Sequence, residues 1–286
     1  MHNVNVYRVS AFTKDSRGGN EAGVVVLNKW LSDKDMQEVA GEVAYSETVF
    51  AIPSKNGIHT RFFTPLKEVT MCGHASLALF TVLYNEGFIE VGSHMLYAGK
   101  STLKATVGVD SVTLFFNKPK TVKVFSGFDQ LKRLNLNEHD LNSVPPAIMD
   151  AGVKELYIGL KDIAKLKAYQ PVLPSIKALS TALGVAGIYL YTLDIETQTI
   201  QGRNFLPAIG INEESATGTA SASLSTHLYV VLDNPPSALT FYQGQWMEKP
   251  SQLNVMYALS DHILEGIYVM GRALIKDTIR VTIGHS

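Results

Sequence analysis

Apolar and polar residues alternate in short runs along most of the chain, and turn-forming clusters separate the runs. "VNVYRVSAF" (4–12) and "AGVVVL" (22–27) read as two strands joined through "SRGGN". At 32–44, "SDKDMQEVAGEVA", the period becomes helical. Met36, Val39, Ala40 and Val43 share one face, and Ser32 and Asp35 have capping-box spacing. "SETVFAIP" (46–53) and "IHTRFFTPL" (58–66) predict a strand pair turning at "SKNG". An apolar helix is expected from about Gly73, and "LKATVGV" and "SVTLFF" pair around Asp110.

The second half repeats this alternation. "GFDQLKRLN" (127–135) predicts a short polar helix, followed by strands "PPAIMDAG" and "ELYIGL". "LPSIKALSTALG" (173–184) is a helix ending at Gly184; "AGIYLYTLD" and "TIQGRNFLP" form the next strand pair. A second apolar helix follows Gly218. Three or four strands close the chain, among them "GIYVMGRALI" and "TIRVTI".

Laid side by side, the halves keep one order: helix, strand pair, glycine turn, apolar helix, strands. Thr217-Gly218-Thr219-Ala220 stands 145 positions after Cys72-Gly73-His74-Ala75, and Arg203-Asn204-Phe205-Leu206-Pro207 stands 142 after Arg61-Phe62-Phe63-Thr64-Pro65. Matches in order, with drifting offsets, predict a duplicated unit. The expected boundaries are 1–124, with Glu47 and the Cys72-Gly73-His74 turn, and 125–286, with the Glu214 to Thr219 turn. The last strand is free to cross back to the first half.

Composition narrows the function. A formal net charge of −1 without a basic cluster argues against nucleic acid as partner. No apolar run approaches the ~20 residues of a membrane span, and the N-terminus lacks a signal-peptide pattern. A lone cysteine excludes an internal disulfide and fits a cytoplasmic protein. The eight histidines (2, 59, 74, 94, 139, 227, 262 and 285) show no ligand spacing, so no metal is expected. Without a Gly-x-Gly-x-x-Gly or phosphate loop after a strand, no nucleotide cofactor is expected either.

The chemistry gathers at the two glycine turns. Unpaired N–H groups at a helix start suit a carboxylate or phosphate, and two such starts facing one another would hold one small anion. Gly73 and Gly218 would let it approach the backbone; equally, they would only permit tight helix entry. Glu47 lies in an apolar strand, where desolvation would raise its pKa toward the range useful for proton transfer; a strand-end glutamate turned to water is the plainer alternative. Glu213 and Glu214 read as a solvated acidic loop or as further carboxylates of the site. Cys72 reads as a thiol activated at a helix start or as a small buried residue. His74, two positions on, is expected to point elsewhere on the helix, which disfavours a cysteine–histidine nucleophile.

"GGNEAGVVVL", "YSETVF", "FFTPLKEVTMCGHASLA", "EESATGTASA", "FYQGQ" and "YVMGRALI" together resemble the phenazine-biosynthesis (PhzF-like) isomerase family. The resemblance covers nearly the whole chain. It implies an α+β fold like that of diaminopimelate epimerase: two pseudo-symmetric halves, each a curled, barrel-like β-sheet around a central helix. It implies a cofactor-independent isomerase acting on a small carboxylate-bearing substrate. Glu47 would be the general acid/base, with His74 and Glu214 as further catalytic residues. Asn20, Ser46, Cys72, Gly73, Thr217, Gly218, Thr219 and Gln243 would contact substrate, and a homodimer would be the assembly. An epimerase or racemase of an amino-acid-like compound, or a non-catalytic metabolite binder, are the alternatives.

Two departures stand out. Glu214 replaces the family's aspartate, a side chain longer by one carbon–carbon bond, roughly 1.5 Å. Glu248-Lys249-Pro250-Ser251 replaces Gly-Arg-Pro-Ser. Cys72 holds the place of one epimerase cysteine and Thr217 that of the other, so a two-thiol mechanism is excluded, while one thiol with Glu47 as partner is not.

Overall fold

The chain opens with β1 (His2–Ala11), β2 (Asn20–Val26) and α1 (Asp33–Val43). Ser32 caps α1, its Oγ accepting from Asp35 N at 3.1 Å, and the early Asp33 and Asp35 complement the positive end of the helix. Ala44 ends α1 in the left-handed conformation and swings the chain into β3 (Glu47–Ser54). There follow β4 (Gly57–Phe63), β5 (Glu68–Val69), α2 (Gly73–Asn85), β6 (Gly92–Ala98), β7 (Ser101–Val107) and β8 (Val112–Asn117). The computed structural model describes residues 2–127 and 129–284; His285, counted among the histidines above, lies outside them.

The chain continues through β9 (Lys120–Val124), β10 (Ala147–Asp150), β11 (Lys154–Leu160), α3 (Ile163–Ala168) and α4 (Leu173–Leu183). Gly184 caps α4 in the left-handed conformation that glycine adopts without strain. β12 (Gly187–Asp194), β13 (Thr199–Leu206), β14 (Ile211–Glu214) and α5 (Gly218–Val231) come next. β15 (Ala238–Gln243), β16 (Ser251–Ser260), β17 (Ile263–Gly271) and β18 (Ala273–Ile283) complete the order.

Two compact units result: Met1–Phe115 with Met270–Ser286, and Phe116–Val269. In the first, β18 pairs antiparallel with β1, and β1 with β2; β2 and β3 run parallel across the α1 connection. β3 pairs antiparallel with β4, β4 parallel with β6 across α2, and β6–β7–β8 follow antiparallel. Because strand side chains alternate, Val25 and Phe50 join the core under α1, with Met36, Val39, Ala40 and Val43. Their neighbours Val24 and Val49, partners in register, turn to the other face, against α2. α2 is buried nearly all round and packs on β1, β2, β3, β7 and β18. Each fully buried Leu or Phe of that helix contributes about 1.5–3 kcal/mol of apolar burial.

In the second unit β9, β10 and β11 are antiparallel neighbours. β11 and β12 run parallel across α3 and α4; β12 and β13 are antiparallel. β13 runs parallel to β15 across α5, and β16 pairs antiparallel with β15. Leu156, Ile158, Ile188, Leu190 and Phe205 form one core with Ile176 and Leu179 of α4. The opposite face carries Tyr157 beside Tyr189, Tyr189 beside Asn204 and Asn204 beside Glu214 in register.

Several expectations need correction. The polar helix at "GFDQLKRLN" is a 3-10 segment, Asp129–Leu134, held by burial of Leu131 and Leu134; Phe128 lies outside the described residues. "GIYVMGRALI" is two strands, divided at Arg272. β5, β6, β9, β14 and α3 were not legible in the pattern. Among the described residues no helix is long and apolar enough to cross a membrane.

Candidate functional site

Strand alternation explains the first unit's cluster. Asn20 shares a face with Ala22 and Val24, and Glu47 shares one with Val49, so both side chains turn toward α2. Gly19 (φ 86°) precedes Asn20, and a Cβ there would lie 2.6 Å from the Ala11 carbonyl oxygen. Only glycine fits that turn, and the turn sets where Asn20 begins β2.

His74, in the first turn of α2 and 3% exposed, is gripped at both ring nitrogens. Asn20 Nδ2 lies 3.2 Å from His74 Nδ1. An amide nitrogen only donates, so Nδ1 accepts and the ring proton sits on Nε2. Ser46 Oγ lies 3.2 Å from Nε2 and itself donates to the Glu21 carbonyl at 3.3 Å, leaving a lone pair for the imidazole N–H. Burial lowers the His74 pKa, against the opposing pull of the Glu47 charge and the Glu21 carbonyl, so the ring is neutral.

Glu47 Oε2 stands 3.2 Å from His74 Nε2, but the approach is too poorly aligned to count as a hydrogen bond. That buried oxygen thus keeps an unfilled acceptor position. Such a carboxylate, beside a neutral imidazole locked in one tautomer, is equipped to take a proton from a molecule placed against it.

Cys72 corrects an expectation. Its Sγ lies 3.2 Å from His74 Nδ1, so the histidine does not point away from the thiol. Cys72 is the N-cap, with extended φ −136° and ψ 125°, and helical spacing does not govern its side chain. Donor atoms of Glu47, Cys72 and His74 lie within 4.8 Å of one another, close enough to converge on a metal ion, although histidine spacing gave no hint of one. A metal there would occupy the groups that proton transfer needs.

The second unit's predicted residues also meet. Thr217, the N-cap of α5, donates its hydroxyl to Glu214 Oε2. Thr217 Oγ1 in turn accepts from Asn204 Nδ2 at 3.1 Å and from Gln243 Nε2 at 3.1 Å. Gln243 Nε2 also reaches the Glu214 carbonyl at 2.7 Å, while its Oε1 accepts from Tyr189 at 3.3 Å. Gly244 (φ 75°) shapes the chain after Gln243; a Cβ there would meet the Lys249 carbonyl oxygen at 2.2 Å. Thr219 stands in the first turn of α5, half-buried.

Glu213 and Glu214 are not a solvated pair. Arg203 Nε and Nη2 hold Glu213 through two 2.9 Å bonds, and Arg203 Nη1 donates to the Tyr169 carbonyl at 2.8 Å. Glu214 alone turns to Thr217. Neither Cys72 nor Thr217 caps its helix through a side chain, and neither first turn carries an acid. Gly73 and Gly218 both have ordinary negative φ, so their backbone conformation does not demand glycine.

Sequence reasoning passed over Asn204 and Glu155. Glu155 is a fully buried carboxyl at the start of β11, and "ELYIGL" carries the same signal as "SETVFAI": one acid opening an apolar strand.

The profile of the phenazine biosynthesis-like proteins (PhzC-PhzF) matches residues 9–278. An uncharacterized isomerase of Clostridium acetobutylicum is 32% identical over 237 residues, covering 78% of each chain. A crystal structure of a PhzF-family phenazine biosynthesis protein of Bacillus anthracis superposes with a TM-score of 0.88 at 24% identity, over 99% of this chain and 100% of that one. A hydroxyproline epimerase from Agrobacterium vitis, with trans-4-hydroxy-L-proline bound, superposes with a TM-score of 0.62 at 14% identity, over 98% and 92%. The fold is therefore a mixed, sheet-dominated α+β fold shared with these proteins, and the chain belongs to the phenazine biosynthesis-like (PhzC-PhzF) family.

Proposed function

We propose that the protein is a cofactor-independent isomerase that moves a proton at carbon within a small carboxylate-bearing metabolite, with Glu47 as general acid/base. The observation that carries this reading is the Glu47 carboxylate, one buried oxygen of which has no hydrogen-bond donor, beside a neutral His74 fixed at both nitrogens. Transfer of a proton needs no electron carrier. Glu47 takes it from one carbon and returns it to another, while the His74 Nε2–H, on this reading, turns from Ser46 to negative charge that develops on the substrate.

The starts of α2, at Gly73 and His74, and of α5, at Gly218 and Thr219, are each suited to a carboxylate through main-chain N–H groups. That glycine is not required there by φ favours close approach of a ligand as its reason. Asn20, Ser46, Cys72, Thr217 and Gln243 line or hold these two groups, with Glu214 as a second carboxylate. The reading takes the units as duplicates of one ancestor. Arg61 pairs with Glu68 on β5 in one, as Arg203 pairs with Glu213 on β14 in the other.

Cys72 favours a second reading. A thiol 3.2 Å from His74 and within one cluster with Glu47 fits an epimerase of an amino-acid-like compound, with thiol and carboxylate as the two proton-transfer groups. Candidate cyclic and acyclic amino acids in deuterated water decide between them. Either catalyst incorporates deuterium at carbon; the isomerase also moves a double bond, whereas the epimerase changes only configuration. Absence of incorporation with any ligand that binds would remove both.

A further inference from the structure

The unit Phe116–Val269 holds a carboxyl that this mechanism does not use. Glu155 is 1% exposed at the start of β11, and among the described residues no cationic side chain pairs with it. It faces Asn204 from β13 and Glu214 from β14, and shares its strand face with Tyr157; Tyr189 of β12 completes the surroundings. A bare carboxylate in such a place, next to a second one, is strongly disfavoured.

The hydrogen-bond inventory makes the same point without reference to charge. Glu155 Oε2 and Asn204 Oδ1 are both buried acceptors without a donor, although the Asn204 amide lies beside Glu155. Asn204 Nδ2 is committed to Thr217 Oγ1. One added proton, on Glu155, would satisfy this arrangement, since a carboxylic acid supplies the donor that Asn204 Oδ1 lacks. Thr217 Oγ1 already accepts from Asn204 and Gln243, so its single hydrogen is directed to Glu214.

We propose that Glu155 is a protonated positioning residue: its acid O–H donates to Asn204 Oδ1 and orients the Asn204–Thr217–Glu214 chain that fixes the Glu214 carboxylate at the start of α5. Burial first, and the Glu214 charge second, push the Glu155 pKa up to about 8, against the pull of the Asn204 amide. Above that pH the proton leaves to water. Asn204 then has reason to turn its N–H₂ toward the new carboxylate, which removes one donor from Thr217 and frees Glu214 to move.

The activity part rests on the isomerase reading; the protonation part does not. Infrared difference spectra of wild type against Glu155→Gln at neutral pH should show a protonated carboxylic acid band in wild type alone, fading as pH passes about 8. Urea unfolding supplies a second readout. The folded state keeps a proton that an unfolded glutamate releases, so wild-type stability should fall as pH rises from about 4.5 to about 8, and Glu155→Gln should flatten that fall. Gln retains shape and an N–H donor, so it should restore most of the roughly tenfold loss in kcat/KM expected for Glu155→Ala, and should remove the alkaline limb. A missing acid band, or identical pH dependence of stability in wild type and Glu155→Gln, would overturn the proposal. Should Glu155→Gln not fold, the wild-type infrared titration decides alone. Failure of the isomerase reading would appear instead as no deuterium incorporation in wild type, with the band intact.

Discussion

Cys72 Sγ and His74 Nδ1 are 3.2 Å apart although α2 begins between the two residues. The contact is possible because Cys72 is extended and His74 helical, so the thiol folds back over the first turn. Asn20 approaches the same nitrogen at the same distance. His74 is therefore oriented twice over: removing the thiol leaves the amide on Nδ1 and the serine on Nε2 in place.

Cys72→Ala should accordingly keep more than about a tenth of wild-type turnover, with a modest packing loss of about 1 kcal/mol. Initial rates of deuterium incorporation and a urea titration check both halves of that statement. Abolished turnover in a variant of unchanged stability would favour the one-thiol epimerase reading over the isomerase.

Glu47→Gln should fold and bind ligand as wild type does but lose about 10²-fold or more in turnover, the usual consequence of deleting a general acid–base. The amide keeps the size of the side chain and the contact with His74, so the comparison isolates the proton. Near-wild-type turnover would end the assignment of Glu47.

Sequence periodicity revealed the elements whose causes are local. Ser32 and the stripe Met36, Val39, Ala40 and Val43 fix α1 from within its own turns, and the same four residues are buried. Glu47 stood out because a lone acid in an apolar strand is costly unless used, and its strand parity carried it to the face that meets α2. The Cys72–His74 contact was hidden, because helical spacing applies only to residues inside the helix. β5 is a two-residue strand and β9 is exposed at every position, so neither has an apolar period to read. Glu155 was legible by the logic applied to Glu47, but its partners Asn204 and Glu214 come from strands far along the chain, and only their register reveals why the buried acid is tolerated.

pH dependence tests the state of His74. Its folded pKa lies below the ordinary value near 6.5, so on acidification the unfolded chain takes up protons before the folded one does. Stability should therefore fall as pH drops below about 6.5, and His74→Gln should lose less over the same interval. His227, also lowered by burial, contributes in the same sense and is common to both proteins. Urea midpoints at about pH 7 and about pH 5.5 give the comparison; equal shifts in wild type and variant would mean that the His74 imidazole is not held neutral by the fold.

Arg203 links stability to the second carboxylate. Its guanidinium is 9% exposed and Glu213 is 16% exposed. It lies over the rings of Phe205 and Trp246, at 4.8 and 5.6 Å from their centroids. Arg203→Met keeps much of that apolar contact but leaves Glu213 without its partner and removes the guanidinium bond to the Tyr169 carbonyl. The expected cost is about 2–4 kcal/mol, on the low side for a broken buried pair because Glu213 retains some solvent. Glu213 precedes Glu214 on the strand that Arg203 ties down, so the loss should extend to turnover even at low urea, where the variant is folded. Arg203→Lys separates the two effects. A single ammonium restores charge but not the two-pronged grip, so it should recover part of the stability while leaving β14 less well placed and turnover still reduced. Full recovery of turnover by lysine would show that charge alone, rather than the forked geometry, holds Glu214 in position.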